Sequence, residues 1–315
     1  ETVIDDILKD TVVPDGYSFE FNQEVINNSN EDALSFTISG SDSGSSYRYT
    51  IYNPSYPGTE ITKSKNVSSS EITEKVDTGS LNDGNIVVNL TVSDIAGNTG
   101  DIKSKVIEKN TVAPEITAVS IDQDKINQSN QAQLSFTMEG AEESTTYNYI
   151  ISDGNNQLSG NGEVASSDHQ VSPIDVSSLD DGELSLTLTI TDSFGNESGQ
   201  VRDTVNKDTV TPELNTVSIS SDNDVSSSRA RNNDTVTLVM EASEDIQEPA
   251  VTIAGNTENV TVSDKSDGDA STWQAEYTVT DSDNLAEEEI PFEIDFEDTS
   301  GNIGITVSET TDNSQ

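Results

Sequence analysis

Three near-copies of one phrase divide the chain: KDTVVPD at 9–15, KNTVAPE at 109–115 and KDTVTPE at 207–213. Asp10, Asn110 and Asp208 hold the same place in each, at intervals of 100 and 98 residues. A period of that length fits one small domain per repeat and is too long for the short units that helical solenoids stack. The phrase is therefore read as a joint in a tandem array. Residues 1–8 are expected to close a preceding repeat, with repeats at 9–108, 109–206 and 207–315, the last a divergent subtype.

Inside each interval the apolar residues alternate. DALSFTISG (32–40), YRYTIY (47–52) and NIVVNLTVSD (85–94) in the first repeat each place their apolar side chains on one face. Period two is the signature of a strand half covered by a core. Gly- and Asn-rich turns such as LNDG (81–84) and IAGNTG (95–100) separate the runs. The second repeat reproduces the first: INQSNQAQLSFTMEG (126–140) matches INNSNEDALSFTISG (26–40), and LDDGELSLTLTITDSFGNESG (179–199) matches LNDGNIVVNLTVSDIAGNTG (81–100). No segment has the length and caps of a stable helix; the nearest, LAEEEI at 285–290, is too short to stand alone. The expected class is all-β: three tandem immunoglobulin-like antiparallel β-sandwich domains in an elongated array.

Composition narrows the function. With 59 Asp plus Glu against 14 Lys plus Arg, the formal charge is −45, which argues against docking on nucleic acid or an anionic membrane. No apolar run is long enough to span a bilayer. The chain has no cysteine and a single histidine, His169 in the polar stretch SSDHQ, with no nucleophile or zinc motif around it. No enzymatic activity is expected.

The joints, the D-x-x-G-N turn ahead of each last strand, and the run from Trp273 to Val279 followed by P-F-x-I-x-F-x-D-x-x-G-N at 291–302 resemble the bacterial immunoglobulin-like repeats of large cell-surface proteins and adhesins. The resemblance covers essentially the whole chain. It implies an extracellular stalk, on the cell surface or secreted, whose partners are the neighbouring repeats, with any host or environmental ligand held by other domains. A glycan- or protein-recognition module, or accessory domains of a secreted polysaccharide-degrading enzyme, are the alternatives. Trp273, the only tryptophan, is read as a core residue, and Tyr52 and Tyr56 in YNPSYPG as packing within their loop, with glycan stacking the alternative.

In a sandwich whose last strand leaves at the far end, the turn before that strand lies beside the preceding joint. Asp94 and Asn98 should then approach Asp10, Asp192 and Asn196 should approach Asn110, and Asp298 and Asn302 should approach Asp208. From the other side, Asp83 should reach the first internal joint, and Asp180 or Asp181, with Asp122 and Asp124, the second. Asp222 and Asp224 repeat the Asp-x-Asp pattern in the third repeat. Converging carboxylates repel unless neutralised, and calcium, which accepts six to eight oxygens, suits such a site. The competing reading is that Asp and Asn only shape turns. If calcium governs stiffness, the joint carrying Asn110 in place of an acid should bend first.

Overall fold

The computed structural model describes residues 8–281, 283, 289–312 and 314. The expected closing strand at 1–8 therefore lies outside the described residues except for Leu8, and LAEEEI except for its last two residues. The described part is all-β, with no α-helix and only a single 3-10 turn at Glu31–Ala33. No described helix is long and apolar enough to cross a membrane.

Three buried hydrophobic clusters divide it. The first is served by β1 (Ser18–Phe21), β2 (Val25–Ile26), β3 (Leu34–Ser39), β4 (Ser46–Tyr52), β5 (Glu60–Asn66), β6 (Glu71–Val76), β7 (Gly84–Ser93) and β8 (Lys103–Lys109). The second is served by β9 (Ala118–Ile121), β10 (Lys125–Ile126), β11 (Leu134–Glu139), β12 (Thr146–Ser152), β13 (Gln157–Glu163), β14 (His169–Ile174), β15 (Gly182–Thr191) and β16 (Val201–Lys207). The third uses β17 (Leu214–Ser221), β18 (Thr235–Ala242), β19 (Ala250–Ile253), β20 (Val260–Asp264), β21 (Thr272–Thr278) and β22 (Phe292–Asp295).

The first two units share one topology. A three-stranded sheet, β1-β3-β6 or β9-β11-β14 in space, accompanies a five-stranded sheet, β2-β8-β7-β4-β5 or β10-β16-β15-β12-β13. The alternation read in the sequence becomes burial: Ile86, Val88, Leu90 and Val92 of β7 are all buried while the residues between them are not. Each such side chain contributes roughly 1.5–3 kcal/mol relative to exposure, which fixes the register of the strand, since a slip by one residue would turn the set outward. The third unit keeps a four-stranded sheet, β17-β18-β21-β20, and a pair, β19-β22. Trp273 is buried there, its indole N–H donating to the Ala270 carbonyl at 2.9 Å.

One detail of this topology positions the joints. β2 pairs with β8, and β10 with β16, in parallel, so Ile26 lies opposite Lys109 and Ile126 opposite Lys207. The next amides continue the ladder, Asn110 N–H to the Ile26 carbonyl at 2.9 Å and Asp208 N–H to the Ile126 carbonyl at 2.8 Å. The I-N-x-S-N turn that follows β2 or β10 is thereby laid beside the joint phrase. That turn also braces itself: the Asn27 side-chain oxygen accepts from the Ser29 amide and hydroxyl, and the Asn30 oxygen accepts from the Asn27 amide.

Candidate functional site: the joints between units

With its oxygen held by Ser29, Asn27 has its amide nitrogen left to point away from the first unit. It donates to the Phe194 carbonyl of the second unit at 2.7 Å. Beside it, the Asn28 backbone N–H donates to the side-chain oxygen of Asn196 at 2.9 Å. The same Asn196, fully buried, donates through its nitrogen to the Asn110 carbonyl at 3.0 Å and to Asp192 Oδ2 at 2.8 Å. One side chain thus binds the end of the first unit, the joint strand and its own turn. Asp192 closes that turn by accepting from the Phe194 and Asn196 amides through Oδ1.

The second joint repeats this clasp. Asn127 donates to the Ser300 carbonyl at 2.9 Å, the Gln128 N–H to Asn302 Oδ1 at 2.8 Å, and Asn302 to the Asp208 carbonyl at 2.9 Å and Asp298 Oδ2 at 2.7 Å. The glycine of D-x-x-G-N has two reasons to be there. Gly195 and Gly301 have φ of +83° and +86°, and a Cβ on either would sit 3.3 or 3.0 Å from the Asn27 or Asn127 amide nitrogen. Ahead of the first unit the same turn binds the joint strand more loosely, Asn98 reaching the Asp10 carbonyl at 3.4 Å. Asn98 also holds Asp94 below the ordinary carboxylate range, through its side-chain amide first and then its backbone.

Beneath each of the two internal joints lies a lysine. Lys109 is buried, donates to the Leu81 and Thr78 carbonyls at 2.7 and 3.1 Å, and pairs with Glu31 at 2.8 Å and Asp83 at 4.0 Å. Lys207 is equally buried, donates to the Leu179 carbonyl at 2.5 Å and pairs with Asp181 at 3.5 Å. Asp83 and Asp181 in turn accept from the amide and hydroxyl of Thr111 and Thr209. These two carboxylates do come to the joints, but as anchors for the lysine and threonine of the joint phrase.

Asp122 sits elsewhere. It accepts from the Ser135 and Thr137 hydroxyls and the Gln170 amide on its own three-stranded sheet. Two of those donors project from β11 and one from β14, so the carboxylate is held by cross-strand neighbours instead of facing the joint. Asp124 makes no hydrogen bond or ion pair among the described residues. In the third unit Asp222 accepts the Thr235 amide and Asp224 pairs with Arg231, so that pair serves local structure.

Joint-facing carboxylates gather most closely at the second joint. Asp208, Glu244 and Asp298 each present an oxygen within 4.8 Å of the others, Asp298 buried and the other two half-buried. Burial, followed by the charges of Asp208, Asp298 and Asp245, pushes the Glu244 carboxyl above its ordinary range. Glu244 was not among the residues singled out from sequence; its signal was the SEDI stretch (243–246) directly after an alternating run. At the first joint Asn110 stands where Asp208 does, and its amide nitrogen faces Asp192 Oδ2 at 3.4 Å.

No protein-family model matches the chain and no curated protein matches it. Among solved structures, it is similar to one described as bearing on host cell surface retention of a 1.5-MDa bacterial ice-binding adhesin, at 19% identity over 94% of this chain and 98% of that one, TM-score 0.41. A tetra-tandem repeat in the extending region of a large adhesion protein aligns at 17% identity over 93% and 72% of the two chains, TM-score 0.29. The chicken CNTN1 FN1–FN3 domains align at 10% identity over 94% and 99%, TM-score 0.32. Every one of these TM-scores is below 0.5.

Proposed function

We propose that the chain is a spacer: three immunoglobulin-like β-sandwich domains, bounded near the joints at 9–15, 109–115 and 207–213, in an elongated extracellular segment of a bacterial adhesin-like surface or secreted protein. The observation that carries this reading is the asparagine clasp, built twice from matching residues between successive units. Its donors and acceptors are backbone groups and amides spent on holding neighbours, which is the work of a spacer. The resemblance of the joint phrase and the D-x-x-G-N turn to bacterial immunoglobulin-like repeats supports the setting. Strands of about ten residues give a domain of roughly 35–40 Å, so three in line would span on the order of 110 Å.

Calcium is proposed at the second joint, on Asp208, Glu244 and Asp298, which are gathered tightly enough to share one ion. Hard oxygen ligands and an acidic extracellular module suit a weak site, with Kd on the order of 10⁻⁴–10⁻³ M. Small-angle scattering of the full chain with calcium and then chelator tests both parts. An extended profile in both states that lengthens modestly with calcium is expected. A compact profile would defeat the spacer, and one identical in both states would defeat the calcium site.

A further inference from the structure

Several sheet edges among the described residues carry a device against pairing with other chains. β5 has Lys63 and Lys65 near its middle, β14 contains Pro173, and β6 carries Glu71, Glu74 and Lys75. β20 is only five residues long and ends in Asp264. Lysine, proline and shortness are the usual ways of blunting an edge. β13 has none of them. Its sequence, QLSGNGE, has no proline or lysine, and its sole charge is at the last residue, Glu163. It pairs with β12 without a bulge from Gln157 opposite Ser152 to Glu163 opposite Thr146, and it ends the sheet order. Among the described residues, its outer backbone groups have no partner.

The strand is also complementary to itself. Set antiparallel to a copy with Gly160 on the two-fold axis, Leu158 opposes Gly162, Ser159 opposes Asn161 and Gln157 opposes Glu163. Leu158, Gly160 and Gly162 share the face that meets Ile151, Tyr149 and Tyr147. The tyrosine rings cover both glycines so closely that a Cβ at either would lie 2.5 Å from a ring or hydroxyl atom. The partner's leucine would therefore lie against the Tyr147 ring over a residue with no side chain of its own. On the other face a hydroxyl meets an amide and an amide meets a carboxylate, with no like charges opposed. The outward positions nearest its middle, Asn148, Ile150 and Ser152 on β12 and Thr187 and Thr189 on β15, carry no acid; Glu183 and Glu163 lie toward opposite ends of that face.

That matters in a chain of formal charge −45, where two copies can approach only through surfaces poor in carboxylates. β5, the equivalent edge of the first unit, fails the same operation. Lys63 would face itself, and Ile61 would face Lys65, which is already held by Glu74 at 2.8 Å. We propose that β13 is a homotypic docking edge through which two copies of this chain join their five-stranded sheets across a two-fold axis. This stands independently of the spacer and calcium readings.

Sedimentation equilibrium of the full chain at high salt, where self-repulsion is screened, should show a concentration-dependent dimer. Ser159→Lys and Asn161→Lys, each at an exposed outward position, should weaken it by about tenfold or more, with unchanged circular dichroism. Ser64→Lys on β5 should leave it intact. The chain has no cysteine, so a mixture of Ser159→Cys and Asn161→Cys chains gives a register readout. Directly opposed residues lie about 4.5–5.5 Å apart and diagonal ones about 7–8 Å, so the mixed disulfide should form faster than either symmetric one. A monomer at all concentrations, a dimer indifferent to both lysines, or statistical cross-linking would each overturn the proposal.

Discussion

The two internal joints have the same frame, and their phrases differ at two positions, Asn110 against Asp208 and Ala113 against Thr211, of which the first faces the clasp. At the first, the Asn110 amide faces the Asp192 carboxylate, so a donor meets an acceptor. At the second, Asp208 takes that place, and together with Asp298 and Glu244 it makes a cluster of three acids. That exchange, with Glu244 beside it, separates a joint that completes itself from the one at which calcium is proposed. If calcium binds at the second joint as proposed, the order in which the joints give way depends on it. With calcium bound, the first joint lacks that extra tie and bends first; without it, repulsion among the three acids makes the second joint yield first.

The largest effect expected from breaking this comparison lies beneath the joints. Lys109→Met leaves Glu31 and Asp83 unpaired, while Lys207→Met strands only Asp181. These carboxylates are about one-third exposed, so the usual penalty for a broken buried pair is discounted to about 2 kcal/mol for Lys109→Met and about 1 kcal/mol for Lys207→Met. Differential scanning calorimetry should show the larger loss in the first variant. Equal losses would mean that Glu31 adds nothing.

Next in size come the clasps. Asn196→Ala or Asn302→Ala removes three hydrogen bonds and leaves the Asn28 or Gln128 amide without its acceptor. Asn28 and Gln128 are exposed, so a cost of about 1 kcal/mol per joint follows, the lower end for a donor left without its acceptor, read as separation of unfolding transitions that were coupled. The cost should be similar at both joints, since the clasp is the part they share.

The joint swap is subtler. Asp208→Asn should give the second joint the chemistry of the first and abolish its response to calcium, while Asn110→Asp should weaken the first joint by about 1 kcal/mol, the lower end for a group left facing a like charge. Thermal melts with calcium and with chelator check both. The smallest expected effect is on pH. The Glu244 carboxyl is raised in the folded chain, so its contribution is fully present below the ordinary glutamate range and is lost as pH rises through the raised value. Without calcium the third unit should therefore gain stability on mild acidification, and Glu244→Gln should remove that gain.

Much of this was legible in the sequence. Period-two alternation located β3, β4 and β7, and the D-x-x-G-N turns were expected beside the joints because a turn before the last strand must lie at that end. What was not legible depends on partners distant in the chain. Asn27 and Asn127 read as ordinary turn residues, because their outward hydrogen bonds end on a backbone carbonyl more than a hundred and fifty residues away. Lys109 and Lys207 were not singled out from the sequence; the available hint was that lysine recurs at one place in every joint of a chain with only 14 basic residues. Asp122 was assigned to the second joint because the turn after β9 points that way, but Ser135, Thr137 and Gln170 hold it on the sheet.

The central claim is that the asparagine clasp holds successive units in a fixed relation. Small-angle scattering of the Asn196→Ala, Asn302→Ala double variant against the unaltered chain, in calcium, tests it most directly. A shorter maximum dimension and the profile of units moving about flexible joints are expected, with each unit still folded. A profile superimposable on that of the unaltered chain would contradict it.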